Sequence, residues 1–106
     1  MKPTAPFNES RSAMLRDDPE LAAEYLEECL EDGDLELFKV ALKHVAEASL
    51  GGMSALSKAT DLNREALYRS LSENGNPSLD TLTKVLSAMG MRIAVSVQRP
   101  PQLEAR

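Results

Sequence analysis

The sequence predicts a mainly α-helical domain of five helices followed by one short β-strand. Between residues 17 and 90, apolar side chains recur at helical spacing in several separate stretches. Residues that favour helix starts precede these stretches, and glycines follow three of them, at Gly33, Gly51 and Gly90. After Gly90 the apolar period changes to two, which is typical of a half-buried strand.

The first two helices have clear boundaries. Asp18 and Pro19 predict the start of the first helix, because a carboxylate N-cap precedes a proline in the first turn. Gly33 ends it and Asp34 is the predicted N-cap of the second helix. The predicted apolar stripes are Leu21, Ala22, Tyr25, Leu26, Cys29 and Leu30, and then Leu37, Phe38, Ala41, Leu42, Val45 and Ala46. The polar face of the second helix is predicted to carry Lys39, Lys43, His44 and Glu47.

Three further helices are predicted after the Gly51-Gly52 pair. Ser54 is the predicted N-cap of a short third helix, and Asn63 that of a fourth helix over about residues 64–71. Ser78 caps a fifth helix that ends at Gly90. Its apolar stripe is Leu79, Leu82, Val85, Leu86 and Met89.

The predicted strand follows Gly90 and presents one apolar face, formed by Met91, Ile93, Val95 and Val97. A lone strand leaves its backbone hydrogen-bonding groups unpaired. We therefore expect it to pair with the same strand of a second copy in a symmetric dimer. Pairing with the N-terminal tail, or an extended cover over the core, are the alternatives. Residues 1–16 are expected to be a flexible arm, 17–98 the single domain and 99–106 a disordered tail.

Composition restricts the class of protein. The 106 residues suffice for one domain. One cysteine, Cys29, and one histidine, His44, predict neither a disulfide nor a metal site. Cys29 is expected in or near the core and His44 on the helix surface. No nucleophile–base pair or phosphate-binding glycine loop is recognisable, so we expect no cofactor and no enzyme activity. No apolar run could span a bilayer, and no signal segment is seen, so a cytoplasmic protein is expected.

Charge is strongly segregated along the chain, whose net charge is −5. Residues 1–36 hold eleven acidic and three basic side chains, whereas residues 37–106 hold six acidic and nine basic ones. This split suggests two partners of opposite charge. A partner surface is predicted at four carboxylates of the first helix, Glu24, Glu27, Glu28 and Glu31. A solvated helix face is the alternative.

The segment from Ser54 to Gly75 has the pattern of a helix-turn-helix, in which the second helix enters the DNA major groove. Asp61 occupies the turn, where a left-handed backbone is needed, and Ser57 is the small residue at the helix contact. The second helix presents Asn63, Arg64, Glu65, Tyr68 and Arg69, above a predicted buried set of Leu62, Leu67 and Leu71. Arginine suits guanine, glutamate suits cytosine and asparagine suits adenine or a phosphate.

Phosphate contacts are expected on both sides of this second helix. Ser54 and Lys58 lie on one side, and Asn74 and Asn76 in the following loop lie on the other. The role of Tyr68 has two interpretations, a phosphate contact through its hydroxyl or packing on the scaffold.

From about residue 17 to residue 97 the chain resembles the HigA-like addiction-module antidotes of the Xre, lambda-repressor-like helix-turn-helix superfamily. The residues that carry the resemblance are AEYLEECLEDGDLELFKVAL and LSKATDLNREALYRSLSENGNPSLDTLTKVLSAMGMRIAV. The chain departs from the general pattern at Ser57 and Asp61, where alanine and glycine are preferred.

The resemblance implies a bacterial antitoxin with two partners. It would neutralise a small basic toxin of the RelE/ParE type, and it would bind and repress its own double-stranded operator, at the nucleoid, as a homodimer. Two alternatives are a stand-alone helix-turn-helix repressor and a protein-interaction module that does not bind DNA.

Overall fold

The computed structural model describes residues 9–98, and this part of the chain is mainly helical. Its helices are α1 (Glu9–Asp17), α2 (Pro19–Glu31), α3 (Leu35–Leu50), α4 (Met53–Thr60), α5 (Arg64–Ser70) and α6 (Leu79–Ala88). The long helix α3 packs against α1, α2 and α4, and α4 in turn packs against α5 and α6. Helix α4, the first of the helix-turn-helix, therefore lies between the longest helix and the last one, and α5 packs on α4.

Helix α1 is additional to the five predicted helices and lies mostly within residues expected to form an arm. It packs on α2 and α3 and buries Leu15, whereas the neighbouring Met14 is exposed. A helix of this length has too few apolar residues for a helical spacing to be recognised in the sequence. The predicted tail, 99–106, and the start of the predicted arm, 1–8, lie outside the described residues.

Side-chain caps fix the starts of four helices. Asp18 Oδ1 accepts from the Leu21 amide at 3.1 Å, and Asp34 Oδ1 from the Leu37 amide at 3.0 Å. Ser78 caps α6 in the same way. The prediction for Ser54 is wrong: the N-cap of α4 is Gly52, and Ser54 lies inside the first turn. The positive φ of Gly51 (99°) and Gly52 (134°) turns the chain tightly enough for α4 to begin directly after them.

The core runs along one side of α3 and between α4, α5 and α6. Its largest fully buried side chains are Leu42, Val45, Leu56, Leu67, Leu71 and Val85. Three leucines of the predicted stripes are instead exposed: Leu30, Leu37 and Leu79. Each lies in the first or last turn of its helix, where the neighbouring helices no longer cover it. His44 is half-buried, with Nδ1 3.2 Å from the hydroxyl of Tyr25.

The predicted C-terminal strand is not confirmed. Residues 91–98 carry no regular secondary structure, and Val95 and Val97 are 95% and 75% exposed. A strand needs a hydrogen-bonding neighbour, and the described part of a single chain contains no other extended segment that could supply one. No helix in the described range is long and apolar enough to cross a membrane.

Candidate nucleic-acid interface

The turn between α4 and α5 has the backbone that the sequence predicted. Asp61 lies in the left-handed region, with φ 60° and ψ 27°, and it is the one residue other than glycine with positive φ in the described range. The Ser57 hydroxyl donates to the Leu62 carbonyl at 2.6 Å, and the Leu62 amide donates to the Thr60 hydroxyl at 3.3 Å. Two side chains of α4 thus hold the turn, so Ser57 stabilises it by a hydrogen bond as well as by its small size.

Helix α5 is anchored from below and capped at its start. Leu67 and Leu71 are almost completely buried, and Leu62 is half-buried. The Ala66 amide donates to Asn63 Oδ1 at 2.9 Å, so Asn63 is the N-cap, as predicted. Because the cap uses its carbonyl oxygen, the side-chain NH₂ of Asn63 remains for a base or phosphate.

The predicted base-reading side chains share the exposed part of this short helix. Arg64, Glu65, Tyr68 and Arg69 are all exposed. The Arg64 guanidinium carbon lies 5.5 Å from the centre of the Tyr68 ring, which is cation–π distance. The Tyr68 ring therefore lies against the side chain of Arg64, a contact that neither interpretation from the sequence included.

The predicted phosphate contacts lie on either side of α5 in sequence. Ser54 and Lys58 are exposed on α4, and Asn74 and Asn76 are exposed in the loop between α5 and α6. No measured contact joins these four residues to one another. All four residues are therefore accessible to a ligand. Whether they contact the same DNA backbone together depends on the shape of the DNA.

A buried lysine of α3 organises this second loop. Lys39 is 5% exposed, and its Nζ donates to the carbonyls of Ser72 at 2.8 Å, Glu73 at 3.1 Å and Gly75 at 2.7 Å. Glu36 Oε2 lies 3.0 Å from the same nitrogen. The expectation that Lys39 lies on the polar face is wrong, because its ammonium is enclosed by carbonyls of a distant loop.

The sequence does contain a signal for this position. Lys39 follows Phe38 directly and precedes Leu42 by three residues, so it occupies the apolar stripe of α3 at helical spacing. A lysine on a buried stripe needs carbonyl or carboxylate partners. That reasoning would predict a buried lysine without identifying the loop that it contacts.

The residues predicted to bind other proteins are accessible. Glu24, Glu27, Glu28 and Glu31 are exposed on α2, and none of them forms an ion pair within the described residues. Met91 is half-buried, whereas Ile93, Val95 and Val97 are exposed.

Cys29 is a buried thiol of the core. It is 3% exposed, and burial raises its pKa above the ordinary 9.0. The negative charges of Asp32, Asp34 and Glu28 raise the pKa further. Side chains from residue 13 to residue 98 include no group of three or more histidine, cysteine or carboxylate residues that could hold a metal ion.

Two comparisons with known proteins give matches. A family model described as "Probable addiction module antidote protein" matches residues 5–97. A protein of Haemophilus influenzae (strain ATCC 51907 / DSM 11121 / KW20 / Rd), described as an uncharacterized protein, is 36% identical over 75 residues. This match covers 71% of the present chain and 75% of the relative. No solved structure matches the chain.

Proposed function

Because the chain belongs to the family of probable addiction module antidote proteins, we propose that it is an antitoxin with two binding activities. It binds and neutralises a small basic toxin of the RelE/ParE type, and it binds its own operator as an autorepressor. The observation that carries the DNA half is the helix α5, capped by Asn63 and anchored by Leu67, with Arg64 and Arg69 left exposed.

The proposed operator binding is that of a symmetric dimer on two half-sites. Ile93, Val95 and Val97 leave an apolar row exposed on the segment after α6, and a second copy of the same segment would cover it. Antiparallel pairing of these segments would also supply their missing backbone hydrogen bonds. The two α5 helices would then lie about 34 Å apart and read the two halves of a palindrome.

The charge around α5 predicts how DNA binding depends on salt. Lys58, Arg64 and Arg69 are the exposed cations of the helix-turn-helix, and Asp61 and Glu65 oppose them. A dimer would neutralise up to about six phosphates, giving a slope of log K against log salt no steeper than about −5. Phosphate neutralisation would then contribute only modestly to the binding free energy, and specific base contacts would supply a large share of it.

The acidic face of α2 is the proposed toxin surface. Its four glutamates are exposed and unpaired within the described residues, so a basic partner meets no competing internal cation. Charge complementarity of this kind accelerates association and excludes acidic partners.

The antitoxin half predicts that a small basic protein is encoded beside this gene, and co-expression of the two tests it. The neighbour should copurify with this chain, and its toxicity should be suppressed. The variant Glu27→Gln should weaken the complex more than the matched control Glu47→Gln, which removes the same charge from an exposed position on α3 that also forms no ion pair within the described residues. Undiminished toxicity, or no copurification, would rule out the antitoxin assignment. Toxin neutralisation without any salt-dependent binding to promoter DNA would reject operator binding and leave a protein-interaction module.

A further inference from the structure

The ammonium of Lys39 is surrounded by the loop that follows α5. Its three protons match the three carbonyls that lie 2.7–3.1 Å away, with the Glu36 carboxylate beside them. A buried ammonium is tolerated only when such partners satisfy it. The position of the Lys39 nitrogen and the orientation of three loop peptides are therefore fixed together.

Peptide geometry carries this constraint to the other side of the loop. In a planar trans peptide the C=O and N–H groups point in opposite directions, and the described chain has no cis peptide bond. The carbonyls of Ser72, Glu73 and Gly75 point at Lys39. The N–H groups of the same three peptides, which belong to Glu73, Asn74 and Asn76, therefore point away from it.

These three N–H groups have no acceptor within the described part of the chain. Two other amides of this loop donate within the chain: Ser72 to the Arg69 carbonyl at 3.3 Å, and Gly75 to the Ser72 carbonyl at 2.9 Å. Glu73, Asn74 and Asn76 are exposed residues, so their amides can meet a ligand from solvent. Free backbone N–H groups that share one short loop, with a fixed cation behind them, favour an anion.

We infer that the amides of Glu73, Asn74 and Asn76 bind a DNA backbone phosphate, and that Lys39 is the positioning residue that holds them. The inference rests on the proposed operator binding, and it assigns a role to a residue that does not touch DNA itself. The loop directly follows α5, so a phosphate bound there would fix the register of the recognition helix on the duplex. The Glu73 carboxylate opposes an anion, so Glu73→Gln should tighten phosphate binding.

The first test is an NMR titration of the full-length ¹⁵N-labelled protein with a duplex of its own promoter. The amides of Glu73, Asn74 and Asn76 should shift together with those of α5. A parallel titration with inorganic phosphate distinguishes the ligand. Shifts of the three amides with phosphate but not with DNA would contradict a backbone-phosphate site.

The second test compares Lys39→Met with a control of reduced core packing, Val85→Ala. Lys39→Met should weaken binding to the promoter and to a scrambled duplex by the same factor, about tenfold, because a phosphate contact carries no sequence information. Val85→Ala, assayed where both variants are folded, should keep the affinity of the parent protein. If Lys39 only stabilised the fold, the two folded variants would bind DNA with the same affinity. This outcome would overturn the inference.

The two proposals fail in different ways. If promoter DNA shifts the α5 amides but leaves the three loop amides unchanged, the inference is wrong and operator binding stands. If no amide shifts and no binding is measured, operator binding itself is wrong. Should Lys39→Met not fold, the titration of the parent protein and of Glu73→Gln decides the question.

Discussion

Replacing Asp61 by glycine should stabilise the protein. A left-handed backbone costs an L-residue roughly 1–2 kcal/mol, and the Asp61 carboxylate makes no hydrogen bond or ion pair within the described residues to offset this. Glycine removes that cost but loses roughly 0.5–1 kcal/mol of unfolded-state entropy. Removing a negative charge from the C-terminal end of α4 adds roughly 0.3–0.5 kcal/mol.

Together these contributions should raise the free energy of unfolding of Asp61→Gly by about 1 kcal/mol. This corresponds to a rise in Tm of about 4–8 °C in a domain of this size. Thermal and urea denaturation followed by circular dichroism would measure it. Asp61→Asn is the matched control, since it keeps a side chain tolerant of this backbone and removes only the charge. A Tm for Asp61→Gly at or below that of the parent protein would refute a left-handed turn at this position.

Three further predictions concern the interface, the core and the loop. Arg64→Ala should leave the fold intact and cost about 1–3 kcal/mol of base discrimination, measured by competition between promoter and scrambled duplexes. Unchanged discrimination would remove this residue from the site. Burial and the raised pKa of Cys29 should make the native thiol react with a disulfide reagent far more slowly than in urea. The pKa difference between the folded and unfolded thiol also makes stability depend on pH. The free energy of unfolding should be unaffected by Cys29 below pH 9.0 and should fall at higher pH, because the thiol ionises more readily in the unfolded chain. Gly75→Ala should lower stability by roughly 1–3 kcal/mol in urea denaturation, because the added Cβ would meet the carbonyls of Arg69 and Ser70. Equal stability of this variant would show that the loop accommodates a side chain.

Local sequence features predicted most of the helix boundaries. Asp18, Asp34, Asn63 and Ser78 cap their helices as expected, because capping involves residues only three positions apart. The left-handed backbone of Asp61 was predictable for the same reason, since steric limits at a tight turn are local.

Features that depend on distant contacts were less visible. Lys39 contacts carbonyls 33–36 positions away along the chain, so its stripe position indicates burial but not the partner. Helix α1 gains its stability from packing Leu15 on the body of the domain, which no period within nine residues reveals. A strand after Gly90 would need backbone partners that the described part of one chain does not supply, so the strand remains a proposal.

Binding of the purified protein to the DNA directly upstream of its own gene tests the central claim most directly. Fluorescence anisotropy across a salt series should show preference for this duplex over a scrambled one, with a log–log slope no steeper than about −5. Equal affinity for both duplexes, or no binding at low salt, would contradict the proposal that α5 reads an operator.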